Sequence, residues 1–167
     1  TKYKAFGTAH LPVLVTDRNG NTLTYDRDPA TGNLIKETDG YGRALNFSYN
    51  AQGQVTGVTD SAGRSTSYSY NAQGDKISET DVNGDVTQYA YDANHRITQI
   101  TYPNGGHRYF SYDGQGRVAQ ESNDGGNNQN TYVYSASSTT ETDALGRTTT
   151  YEWKEVQGLR KITKKVD

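Results

Sequence analysis

The sequence predicts an all-β protein: an antiparallel meander of about seven two-stranded repeats forming one curled sheet. Three observations carry this. A turn-forming residue followed three places later by glycine recurs about every 21 residues, from Asp17-Arg18-Asn19-Gly20 onward. Two slots, one residue apart, follow each of these turns, and thirteen of the fourteen are aromatic. No segment of any length shows a helical period.

The first rim of turns starts at Asp17, Asp39, Asp60, Asp81, Tyr102, near Asp124, and at Asp143, with Asn127 in the glycine slot of the Asp124 copy. Asp or Asn at the first position and Gly at the fourth suit a type I turn, the Asx side chain bonding its own backbone. Each turn leads into an alternating run such as Ser65-Thr66-Ser67-Tyr68-Ser69-Tyr70, which places both tyrosines on one face of a strand and the serines on the other. The aromatic slots read Tyr25, Phe47 with Tyr49, Tyr68 with Tyr70, Tyr89 with Tyr91, Phe110 with Tyr112, Tyr132 with Tyr134, and Tyr151 with Trp153. Arg27 holds the one slot that is not aromatic. A second turn follows, as in Asn71-Ala72-Gln73-Gly74, and then a β-branched run such as Val55-Thr56-Gly57-Val58. Glycine closes the turns at Gly20, Gly42, Gly53, Gly63, Gly74, Gly84, Gly105, Gly116 and Gly146. Residues 1–16 read as a lead-in strand from a preceding repeat, 17–163 as the repeats, and 164–167 as a tail.

Composition limits the chemistry. Leu, Ile, Val and Phe make up 15% of the chain, too little for an ordinary core, so the aromatic ladder must supply it. Net charge is -2, which gives no field for nucleic acid. Cysteine is absent, removing disulfides, thiolate nucleophiles and Cys-ligated zinc. No apolar run is long enough for a membrane-spanning helix. The chain has no methionine, begins at Thr1, and reads as a piece of a longer protein.

The pattern Gly-Arg, then Tyr-x-Tyr-Asn/Asp, then x-x-Gly resembles the YD, or Rhs, repeat. Gly63-Arg64 through Gly74, Tyr112-Asp113-Gly114-Gln115-Gly116-Arg117 and Asp143-Ala144-Leu145-Gly146-Arg147 carry the likeness. Asp85 and Gly106 depart from it, replacing the arginine. The resemblance implies a structural wall: a spiralling β-shell which, in bacterial Rhs proteins and Tc-toxin C components, encloses a C-terminal toxin. It implies a secreted protein, or one delivered by a bacterial secretion system, whose partners are the rest of the shell and the enclosed toxin.

No catalytic, metal or cofactor site is expected. His95 replaces a turn glycine, His107 has no patterned partner, and no nucleophile elbow or metal-ligand spacing occurs. The Asp row at the first rim reads as turn formers. The competing function is a carbohydrate- or cell-surface-binding repeat module, with ligand contacts concentrated on a mobile Gly/Asn loop at 125–130. With both sheet edges open, the fragment alone is expected to self-associate.

Overall fold

The computed structural model describes residues 1–167 as sixteen β-strands in one antiparallel sheet, with strand order equal to chain order. The chain divides into two units, Thr1–Val86 and Thr87–Asp167. In the first, β1 (Lys2–Phe6) and β2 (Ala9–Thr16) form a hairpin, correcting the single lead-in strand expected at 1–16. The repeats follow as β3 (Thr22–Arg27) with β4 (Leu34–Asp39), β5 (Ala44–Tyr49) with β6 (Val55–Asp60), and β7 (Ser65–Tyr70) with β8 (Lys76–Thr80). In the second unit, β9 (Val86–Tyr91) pairs with β10 (Ile97–Thr101) and β11 (His107–Tyr112) with β12 (Val118–Asn123). Then β13 (Asn130–Tyr134) pairs with β14 (Ser138–Thr142), and β15 (Thr148–Val156) with β16 (Leu159–Val166). The expected tail therefore lies mostly inside β16.

Each first-rim turn follows one rule. Asp60 N–H donates to the Arg64 carbonyl, Gly63 N–H donates back to the Asp60 carbonyl, and Gly63 sits at φ 81°. This is a type I turn closed by a left-handed glycine, the three-residue hairpin loop. Glycine fills the slot because an L side chain there is strained by roughly 1–2 kcal/mol. His95 is the exception in the second rim: it adopts φ 62° where its neighbours in the repeat have glycine.

Within each of five hairpins one residue is extruded from the ladder. Register shifts leave Ile35, Thr56, Ile77, Thr98 and Ala119 without a direct partner, spaced 21 residues apart. Arg27 in the first hairpin and a tyrosine in the other four oppose these β-bulges, which bend the strand and interrupt pairing.

The irregular copy has a clear register. Asn123 N–H donates to the Asn127 carbonyl, so the turn starts at Asn123, 21 residues after Tyr102, rather than at Asp124. Gly126, at φ 75°, then occupies the glycine slot that had been assigned to Asn127. The copy also shortens its second turn. Ser135 N–H bonds the Ser138 carbonyl directly, and the β13–β14 ladder runs without a bulge.

The core differs from the expectation. The sheet is one layer and no apolar or polar side chain is fully buried. Within each unit the ladder aromatics share one face and are half-buried, while Asp26, Ser48, Ser69, Ala90, Ser111, Val133 and Glu152 between or beside them are exposed. The rings pack against strand neighbours and long cationic side chains, with no second layer over them.

Candidate functional site

The recurrent constellation is a latch between successive hairpins. The ladder joining β4 to β5 runs from Thr38↔Ala44 to Lys36↔Asn46 and stops there. Beyond it, the Tyr49 hydroxyl donates to the Leu34 carbonyl at 2.8 Å. Tyr70 does the same to Val55 (2.7 Å), Tyr112 to Ile97 (2.6 Å) and Tyr134 to Val118 (2.7 Å). The receiving carbonyl belongs each time to the residue just before the bulge. A bulge takes backbone out of the ladder, and the next hairpin's phenol supplies a donor. In the first copy Arg27 stands in for tyrosine, its Nε donating to the Pro12 carbonyl at 3.1 Å. The one slot without an aromatic thus keeps the latch. Trp153 has no hydroxyl, and its ring lies under Arg160, 4.0 Å from ring centroid to guanidinium carbon.

Two copies add a guanidinium. Asp92 accepts the Arg96 Nε at 2.8 Å, and Arg96 lies 4.5 Å over the Tyr112 ring of the following hairpin. Asp113 and Arg117 repeat this over Tyr134, at 2.7 Å and 4.2 Å. Tyr-Asp, two residues, His or Gly, then Arg therefore reads as one device. The tyrosine latches backward, the aspartate caps its turn and holds the arginine, and the arginine faces the next tyrosine. The Arg96 hydrogen bond, with the Arg96 and Asn94 backbone N–H groups, holds the Asp92 carboxyl below its ordinary range. Desolvation first, and the Asp92 carboxylate second, push Tyr112 up.

The acidic row at the first rim is made of turn caps. Asp39, Asp60 and Asp143 each accept two backbone N–H groups and the side chain of an arginine four residues on. Asp17 and Asp81 cap in the same way without arginine. Tyr102 cannot, and Asn104 caps its turn by accepting Gly106 N–H at 3.0 Å.

One contact lay outside the reading of the sequence. His107 Nδ1 lies 2.9 Å from Asp124 Oδ1, and the backbone N–H of His107 donates to Oδ2 at 2.8 Å. The His107 and Tyr109 rings stack at 5.8 Å. Asp124 opens a short 3-10 turn over Asp124–Gly126, so this part of the expected mobile loop is tied to β11. The signal was the aspartate displaced by one place from the turn position. Its partner lies seventeen residues away, on a neighbouring strand.

Glu121 forms a second polar node on the aromatic face. It accepts Arg108 at 2.5 Å, Tyr132 at 3.0 Å and Asn130 at 3.3 Å. Tyr132 is pushed up to about 12, by desolvation first and then by the Glu121 carboxylate it bonds.

The RHS Repeat family profile matches residues 49–85 and 77–107. Comparison with curated proteins finds no match. Among solved structures, TcdB2-TccC3-TEV superposes with a TM-score of 0.64 at 21% identity, over 85% of this chain and 9% of that one. TcdB2-TccC3-Cdc42 follows at 0.62 and 21%, over 83% and 9%. A TccC3-mutant Tc holotoxin pore of Photorhabdus luminescens gives 0.60 and 23%, over 82% and 7%. At these identities the likeness establishes the fold, and the chain spans less than a tenth of each matched chain. The turn–bulge–tyrosine unit and the matched stretch identify RHS repeats at residues 49–107, and the chain shares the fold of the Tc-toxin structures.

Proposed function

We propose that the chain is a stretch of the wall of a YD/RHS-repeat shell that encloses a C-terminal toxin, secreted or delivered with it. The observation that supports this reading is the way units are joined. No hairpin buries a core of its own, and four are fastened to their predecessors by the same phenol-to-carbonyl latch. Such a sheet extends by adding copies and gains strength only along its length, as a wall does. The role is mechanical: the Asp row caps turns, the tyrosines latch hairpins, and neither is left to do catalysis.

The test uses the full protein that carries these repeats. A protease that cuts its C-terminal domain when that domain is made alone should leave it intact inside the full protein. Cleavage at the free-domain rate contradicts enclosure.

A carbohydrate-binding role has one observation in its favour. The stacked His107 and Tyr109 rings, with the Asp124 carboxylate, stand away from the aromatic ladder, on the opposite face of β11. Replacing residues 125–130 by a short turn would abolish glycan binding under that reading and leave the wall reading untouched.

A further inference from the structure

The cross-strand partner of the first aromatic in each repeat is a glutamate in several copies, and comparing those copies shows what such a glutamate holds. Glu79 lies opposite Tyr68, and Lys76 from its own strand pairs with it at 2.5 Å. Glu121 lies opposite Phe110 and holds Arg108 at 2.5 Å, with Asn130 and Tyr132 completing its shell. Glu37 occupies the same place opposite Tyr25. The three positions matching Lys76, Arg108 and Asn130 in those copies are leucines here. Leu34, paired with Arg27, stands where Lys76 pairs with Tyr70. Leu23, paired with Asp39, stands where Arg108 pairs with Asn123. Leu45, directly opposite Glu37, takes the place of Asn130.

Glu37 consequently has no ion pair or hydrogen bond, yet it lines an open groove of the first unit beside Leu23 and Leu45, with a volume of about 550 Å³. Leu45 is 40% exposed there. The ionic residues at the groove's rim are already committed: Arg43 to Asp39 and Arg64 to Asp60, both at 2.6 Å. Three lining carboxylates against two guanidiniums leave one negative charge, that of Glu37.

We infer that this groove binds a lysine side chain presented by another polypeptide segment, its ammonium on Glu37 and its methylenes between Leu23 and Leu45. A compact ammonium on an apolar stem fits one carboxylate between two leucines. The Lys76–Glu79 pair is the same interaction made within the chain, and the first copy lacks the residue that would make it. The inference does not depend on the shell reading.

The test titrates the chain with a short threonine peptide carrying one central lysine, and follows the Leu23 and Leu45 methyl resonances. Saturable shifts are expected, weakened about tenfold or more by Glu37→Gln, as befits loss of a hydrogen bond to a charged group. Leu34→Lys supplies the missing internal cation and should compete the peptide off to the same degree, while the denaturation midpoint stays level or rises. A norleucine peptide should bind about tenfold more weakly or not at all. Equal binding of the norleucine peptide, full binding by Glu37→Gln or by Leu34→Lys, or no saturable shift in the unaltered chain overturns the inference.

Discussion

Tyr70 and Tyr25 differ in what the loss of one oxygen would do. Tyr70→Phe strips the Val55 carbonyl of its phenol donor at the bulge, which should cost about 1–2 kcal/mol. Tyr25 lies in a slot that Phe47 and Phe110 already fill in other copies, so Tyr25→Phe should change stability by less than about 0.5 kcal/mol. Denaturant midpoints at constant slope measure both, and equal losses would show that the latch oxygen carries no special weight. His95 gives the opposite sign. Its left-handed backbone in a glycine slot means His95→Gly should raise stability by about 1 kcal/mol. A lower midpoint for His95→Gly would show that its side-chain contacts outweigh the strain.

The hairpin with its latch is the repeating element, and four of its latches, like the Tyr132 contact to Glu121, use a phenol. Tyr132 is pushed up to about 12 by desolvation and then by Glu121, against about 10 in an unfolded chain. Between those values the folded state binds more protons, so stability should fall as pH rises from about 10 toward 12 and be unaffected by this group below 10. Tyr112 and Tyr134 shift in the same direction, desolvation first. A tyrosinate absorbance titration should therefore show phenols ionising late and together with unfolding. Ionisation of every tyrosine near 10 with the fold intact contradicts this. Element existence was plain in the sequence, because the Asp-to-Gly turns and the Tyr-x-Tyr alternation are local signals. The bulges at Ile35, Thr56, Ile77, Thr98 and Ala119 were not, since an extruded residue is defined by its partner strand. The latch partners lie fifteen or sixteen residues back and engage through backbone carbonyls, which carry no residue signature. The Asp124 copy misled for a related reason: the aspartate drew the turn one place late, while the backbone turned at Asn123.

At the scale of the whole molecule, a sheet without a buried core has no single cooperative centre. Its stability is distributed, unit by unit, across hairpins and the seams between them. Edge charge also bears on association. β1 carries Lys2 and Lys4, and β16 carries Arg160, Lys161, Lys164 and Lys165. Lysine on an edge strand opposes pairing of like edges. Any self-association of the chain should then strengthen with added salt, as measured by light scattering across ionic strengths. A mass independent of salt would indicate contact through the aromatic face.

The central claim is that the tyrosine latch, more than the short ladder beside it, fastens one hairpin to the next. Native-state hydrogen exchange of Tyr70→Phe tests it directly. Backbone amides in the seam of β6 and β7, at Gly57↔Ser67 and Thr59↔Ser65, should lose protection. The β5–β6 and β7–β8 hairpins on either side should keep theirs. Protection lost evenly across all four strands, or unchanged at the seam, would contradict the account.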